Sequence, residues 1–137
     1  MEKKYILDKL AYMKEFIELL DSRIQKYEQE ENIVEKKTLF AAMSKFSEEI
    51  VEVGIKINNI LLEEHKDYST SYFDSFSKLS NYYDIDDDFL TKLANTTGFR
   101  NRVSHEYGSL NETITLKSFH NIVHLYQKYI EFIKSLL

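Results

Sequence analysis

The chain has 137 residues and a formal net charge of −5, with no proline, no cysteine and three glycines. This composition suits long helices, because proline interrupts them, and the lack of cysteine excludes disulfides and thiolate metal sites. The excess of acidic residues argues against a protein that coats nucleic acid and leaves room only for a local basic patch.

The first half of the chain is predicted to form two long amphipathic helices. Apolar residues at alternating spacings of four and three run from Ile6 to Tyr27, and the polar segment 28–32 indicates a turn. A second apolar series predicts a helix from about Val34 to Glu64. Gly54 lies inside it, where glycine costs about 1 kcal/mol relative to alanine, so we expect another helix to approach closely there.

Three further helices are predicted in the second half. A short helix is expected at about residues 72–83, with an inner side made by Phe73, Phe76, Leu79 and Tyr83. The acidic run 84–88 is interpreted as the start of a fourth helix, at about residues 87–107, because carboxylates favour the positive end of a helix dipole. A metal site is disfavoured there, because the run lacks the glycine and the spaced glutamate of a calcium loop. The last helix buries one face from Phe119 to Leu137.

These elements predict an all-α fold: one domain, residues 1–137, built as an up-and-down bundle of about five helices. The N-terminal segment is interrupted by charges, and no window approaches the roughly 20 apolar residues of a membrane span. A protein without membrane association, located in the cytoplasm, is therefore expected.

The segment GFRNRVSHEYG, residues 98–108, carries the chemistry. It holds Arg100 and Arg102, two of only three arginines, close to His105. Asn101 and His105 are four residues apart and share a helix face. A histidine can move protons to and from ribose oxygens, and an arginine can stabilise charge on phosphate oxygens. RNA supplies its own 2′-hydroxyl nucleophile, so this chemistry needs no metal.

One histidine cannot act as base and acid at the same moment, so a homodimer would supply the second copy. The spacing alone also allows a simpler interpretation. In that interpretation Arg100 and Arg102 complement the negative end of the helix, and His105 is an ordinary surface or core residue.

The segment strongly resembles the R-x4-H-x-Y signature of HepT proteins in the HEPN superfamily; the matching residues are Gly98, Phe99, Arg100, Asn101, His105 and Tyr107. The resemblance implies the toxin of a type VII toxin–antitoxin system. Such a toxin would be a metal-independent endoribonuclease that cleaves RNA, with tRNA as a candidate substrate, across a homodimer cleft. Its antitoxin would be a nucleotidyltransferase of the MntA type, which transfers AMP from ATP to the toxin.

The resemblance also assigns roles to single residues. Arg100 would bind phosphate, His105 would be the general acid and base, and Asn101 would position them. Tyr107 would accept AMP, which would be present only as a covalent modification, and no cofactor or metal is implied. Such proteins often have an acidic residue facing the motif from the second long helix, for which Glu52 is the first candidate.

Some assignments stay open at this point. Glu48 or Glu49 could take the place of Glu52, and Arg102 could either contact RNA or cap its helix. His120 and His124 are four apart, a spacing that can ligate a metal, but no third ligand is evident and either could line an RNA cleft. The rival function is a non-catalytic partner of a nucleotidyltransferase, because the motif could equally hold the phosphate of AMP.

Overall fold

The computed structural model describes the backbone of residues 2–105 and 112–137 and the side chains of residues 2–99 and 113–137. In these residues there are five α-helices and no strand: α1 (Lys3–Gln29), α2 (Ile33–Glu64), α3 (Tyr72–Ser77), α4 (Asp87–His105) and α5 (Glu112–Leu136). The all-α class and the number of helices are confirmed. None of the helices in this part of the chain is long and apolar enough to cross a membrane.

The four long helices alternate in direction, as predicted for an up-and-down bundle. Contacts between side chains show the pairing: Tyr27–Phe40 and Phe16–Phe46 join α1 to α2, and Phe99–Phe119 and Thr96–Tyr126 join α4 to α5. In each pair the residue number rises along one helix while it falls along the other. Each pair is therefore antiparallel.

The apolar periodicity of α1 correctly predicted its buried face, since all seven residues of the series are buried: Ile6, Leu10, Met13, Ile17, Leu20, Ile24 and Tyr27. The prediction for residues 72–83 was partly wrong. The helix ends at Ser77 and continues as a 3₁₀ turn, Lys78–Asn81. Phe76 and Leu79 are fully buried, but Phe73 is 46% exposed. A single short helix has room for few inward positions, and these two residues fill them.

Gly54 is explained by close packing in the core. A Cβ atom at this position would lie 3.1 Å from the ring of Tyr126 and 3.4 Å from the ring of Phe76. Beside it, the Tyr129 hydroxyl donates to the side-chain oxygen of Asn58 at 2.6 Å and lies 3.1 Å from the carbonyl oxygen of Gly54. Burial raises the pKa of both tyrosines well above the usual value. These contacts hold α5 against α2.

Candidate active site

The N-terminus of α4 is built by the acidic run. The side chain of Asp86 accepts a hydrogen bond from the backbone N–H of Phe89 at 2.9 Å, and Asp87 and Asp88 lie in the first turn. This is the capping arrangement that satisfies free N–H groups at a helix start. It confirms the helix-start interpretation of this run. Among the described residues, no group of three His, Asp or Glu side chains could hold a metal ion.

The middle of α4 is anchored in the core just before the motif. The hydroxyl of Thr96 donates to the carbonyl of Leu93, so the buried hydroxyl of Tyr126 donates to Thr96 across 2.8 Å. Phe99 is 5% exposed, and its ring lies edge-on to Phe119 at 5.5 Å. These contacts hold α4 against α5 as far as Phe99.

The motif occupies the last turns of α4. The helix continues to His105, so Arg100, Asn101 and Arg102 are helical too. By helix periodicity, Asn101 and His105 lie one turn apart on the same side. The side chains of these four residues lie outside the described part of the structure, and so does all of Tyr107. The roles assigned to them therefore stay predictions.

Gly98 lies in the same row of α4 as Asn101 and His105. It is exposed, and a Cβ atom added to it would meet no described atom within 4 Å. A glycine in a helix interior is unfavourable by about 1 kcal/mol relative to alanine, and packing in the described structure does not require this one. Among the described atoms, nothing covers the helix backbone at Gly98, about one turn before Asn101.

Two of the surface grooves that border α4 are lined by residues close to the motif. One has a volume of about 530 Å³ and is lined by Asn59, Ser69, Thr70, Ser71, Tyr72, Phe73 and Thr97. The other lies between α4 and α5, with a volume of about 380 Å³, and is lined by Lys92, Asn95, Thr96, Phe99, Ser118, Asn121, Ile122, His124 and Leu125. Neither groove was expected from the sequence, because each depends on which helices become neighbours.

The three acidic candidates on α2 are not equivalent. Glu49 forms an ion pair with Lys45 at 3.1 Å and accepts a hydrogen bond from Tyr12 of α1 at 3.4 Å, so it faces α1. Glu48 and Glu52 are half-buried. By helix periodicity they share a side of α2 with Asn59, which lines the same groove as Thr97 of α4. That Glu52 faces the motif remains a prediction, and Glu48 is its alternative.

The two histidines of α5 contact different neighbours. His120 lies 3.3 Å from a carboxylate oxygen of Glu28 on α1, where it forms an ion pair when protonated. His124 instead lines the groove between α4 and α5.

Comparison with protein families decides the relationship of the chain. The model of the family described as "Ribonuclease HepT-like" matches residues 13–135. The chain belongs to the HepT-like ribonuclease family. The resemblance seen in the motif is thus confirmed over nearly the whole chain. Comparison with curated protein sequences finds no match.

Several solved toxin structures share the fold of this HepT-like chain. One is the tri-AMPylated HEPN toxin of Shewanella oneidensis in complex with an MNT antitoxin, with 24% identity, a TM-score of 0.79 and coverage of 95% of this chain and 96% of that one. A tyrosine-to-alanine mutant of an MntA–HpeT toxin–antitoxin pair has 22% identity, a TM-score of 0.82 and coverage of 95% and 98%. A toxin–antitoxin structure with AMP-PNP has 22% identity, a TM-score of 0.76 and coverage of 93% and 98%. At these identities the likeness shows a common fold.

Proposed function

We propose that this chain is the toxin of a cytoplasmic HepT/MntA-type pair. It is a metal-independent endoribonuclease that acts across a homodimer cleft and is neutralised when an MntA-type nucleotidyltransferase transfers AMP to Tyr107. The observation that carries the proposal is the sequence signature of Arg100, His105 and Tyr107 in a chain of the HepT-like ribonuclease family, with Arg100 and His105 in the last turns of α4. The solved toxins of similar fold were captured with antitoxins, one of them tri-AMPylated, which supports the same assignment.

The proposed reaction uses the proton chemistry of His105. The imidazole of one protomer takes the proton of the ribose 2′-hydroxyl, and the 2′-oxygen attacks the adjacent phosphorus. The bond from phosphorus to the 5′-oxygen breaks, and the protonated imidazole of the second protomer gives its proton to that leaving oxygen. The products are a 2′,3′-cyclic phosphate and a 5′-hydroxyl. Arg100 stabilises the charge on the non-bridging oxygens, and Asn101 positions the reacting groups.

The homodimer requirement agrees with the exposure of Gly98 on α4. Two copies related by a two-fold axis present the same surface to each other. The exposed Gly98 allows RNA or a second protomer to approach the helix backbone next to Asn101 and His105. Each protomer would then contribute one histidine to a shared cleft.

Neutralisation follows from charge and size. AMP on Tyr107 adds a phosphodiester anion and an adenosine two residues from His105. A covalent anion at this place competes with the RNA phosphate for Arg100 and fills the cleft. The proposal therefore accounts for both the ribonuclease and its inactivation with the same residues.

The test is a cleavage assay on total RNA and tRNA in EDTA, after the intact mass of the protein has shown that it carries no AMP. We expect the wild type to leave 2′,3′-cyclic phosphate ends, and His105→Ala to be slower by roughly 100-fold or more. His65→Ala is the matched control, because His65 is exposed at the far end of α2 and should leave cleavage unchanged. No cleavage by unmodified, dimeric wild type would overturn the ribonuclease proposal and favour the non-catalytic partner of a nucleotidyltransferase.

A second assay tests the modification. The protein is incubated with its antitoxin and ATP, and its intact mass and cleavage rate are measured. We expect the wild type to gain AMP and lose activity, and Tyr107→Phe to gain no AMP and stay active. A Tyr107→Phe protein that gains AMP as readily as the wild type would show that the acceptor is another residue.

A further inference from the structure

The charges of this chain are strongly segregated. Residues 89–105 and 114–130 contain five of the 18 basic residues and none of the 23 acidic residues, so the remainder of the chain carries a net charge of −10. The two segments form most of α4 and most of α5. These helices are neighbours, as the Phe99–Phe119 and Thr96–Tyr126 contacts show. In the part of the chain that the structure describes, the surface of these two helices therefore has few carboxylates, and Asp84, Asp86 and Asp88 border it at the start of α4.

Polar and basic residues follow two rows along this face. On α4 the row contains Lys92 and Asn95, and on α5 it contains Lys117, Asn121, His124 and Lys128. All six are exposed. Their spacings of three and four residues place each set on one side of its helix. The groove of about 380 Å³ runs between the rows, with Phe99, Ile122 and Leu125 among its lining residues. We call this surface the α4–α5 face.

The α4–α5 face leads to the motif and has defined ends. Continued by helix periodicity, the row on α4 reaches position 102, which belongs to the motif segment and lies about 100° around the helix axis from Asn101. At the other end stand Asp84, Asp86 and Asp88, which line one groove with Lys92 and Lys128, and, on α5, Glu131. Lys92 pairs with Asp88 at 3.0 Å, with side chains 61% and 75% exposed. Exposed pairs of this kind contribute little, so a phosphate can take the place of Asp88. Near the motif end, the carboxylate of Glu28 lies 3.3 Å from His120, with which it pairs when the imidazole is protonated.

We propose that the α4–α5 face binds the single-stranded RNA that flanks the cleaved phosphate. The proposal rests on the ribonuclease function proposed above and names the path of its substrate. Lys92, Lys117 and Lys128 contact phosphates, while Asn95, Asn121 and His124 offer hydrogen bonds and a ring to bases. RNA is favoured over a protein partner because three lysines follow one surface that has carboxylates only near its ends among the described residues, and because this surface continues toward the segment proposed to bind the cleaved phosphate. On this proposal Arg102 is an RNA contact.

The size of the expected loss in RNA affinity follows from counterion release. Each phosphate contact on single-stranded nucleic acid contributes about 0.7 to the slope of log affinity against log salt. Loss of three contacts should lower the slope by about 2 and weaken binding roughly 50-fold at 0.15 M salt. The test variant replaces Lys92, Lys117 and Lys128 by glutamine. The control replaces Lys3, Lys14 and Lys37, exposed residues of α1 and α2, and has the same net charge.

The experiment measures the binding of a fluorescein-labelled single-stranded RNA by anisotropy over a range of salt concentrations. Both triple variants are made in the His105→Ala protein, which leaves the RNA uncut, and their folding is compared by circular dichroism. We expect the Lys92/Lys117/Lys128 variant to bind RNA more weakly and with a smaller dependence of affinity on salt concentration. The control variant should bind RNA as its parent does.

Two results would overturn the proposal while leaving the ribonuclease intact. In one, the two triple variants bind RNA equally, whether both are strong or both are weak. In the other, the Lys92/Lys117/Lys128 variant binds RNA normally but no longer binds the antitoxin, which would make the face a protein-docking surface. If the His105→Ala parent binds no RNA and the wild type cleaves none, the proposed ribonuclease function itself fails. The same set of proteins therefore distinguishes failure of the RNA-binding face from failure of the ribonuclease function.

Discussion

Replacing Gly98 by alanine should stabilise the folded protein but slow its cleavage of RNA. Gly98 lies inside α4, it is exposed, and an added Cβ atom meets no described atom within 4 Å. Alanine removes the conformational freedom of glycine in the unfolded chain at no packing cost here. The expected gain is about 0.8–1.0 kcal/mol.

The gain can be converted to a melting temperature. At about 2.1 cal/mol/K for each residue, the unfolding entropy of this chain near 60 °C is roughly 0.29 kcal/mol/K. Gly98→Ala should therefore raise the melting temperature by about 3 °C. The measurement is thermal and urea unfolding at one fixed protein concentration, because dissociation of a dimer would make the midpoint depend on concentration.

Gly54→Ala, in α2, is the matched control. Its Cβ atom would lie 3.1 Å from Tyr126 and 3.4 Å from Phe76, inside a packed core. The gain in helix propensity is then opposed by overpacking, which typically costs about 1–3 kcal/mol. We expect Gly54→Ala to be less stable than the wild type, in contrast to Gly98→Ala.

Gly98→Ala should lower the rate of RNA cleavage although it raises the stability of the protein. If RNA or a second protomer approaches α4 closely at this row, a methyl group displaces it, and displacements of about 1 Å can cost up to about 100-fold in rate. We expect Gly98→Ala to cleave RNA at least about 10-fold more slowly. A Gly98→Ala protein that is less stable than the wild type would show that the Cβ position at residue 98 is not free. A stabilised variant that cleaves RNA at the full rate would show that neither RNA nor a second protomer approaches α4 closely there.

Three further predictions concern the elements that support the site. Tyr129→Phe should lower the free energy of unfolding by about 1–3 kcal/mol, because it leaves the fully buried oxygen of Asn58 without its hydroxyl donor; Tyr126→Phe should cost less. Equal losses in urea unfolding would contradict this. Both tyrosines should also make the protein sensitive to alkali. Below about pH 10 they are protonated in the folded and unfolded states; above it only the unfolded chain loses the protons. Stability should then fall by about 1.4 kcal/mol per pH unit for each tyrosine, and the double phenylalanine variant should fall less steeply. Finally, Asp86→Ala should cost about 1 kcal/mol through loss of the cap on Phe89, whereas Asp86→Asn should retain most of the stability; equal losses in both would refute the capping role.

The sequence was sufficient for the features that depend on one helix at a time. The buried series of α1 and the helix start after the acidic run were predicted correctly, since both follow from periodicity and from the free N–H groups of a helix end. The position of Arg100 and His105 on α4 followed in the same way. The family was also evident before the structure, because the motif combines six matching residues.

The tertiary structure decided what depends on neighbouring helices. Periodicity gives the direction of a side chain around its own axis, but it does not say which helix lies there. For this reason the sequence does not indicate that Tyr129 of α5 is fully buried, since packing on several sides widens the buried face of that helix. The same reason applies to Glu49, which faces α1, and to Phe73, which lies within α3 but is 46% exposed.

The α4–α5 face shows the division most clearly. The sequence alone contains two carboxylate-free segments, separated by a stretch that includes two glutamates. Only the antiparallel packing of α4 on α5 joins them into one surface that leads to the motif. Charge is a property of the sequence, but the field at a surface is the sum over side chains that folding brings together, and that sum requires the tertiary structure.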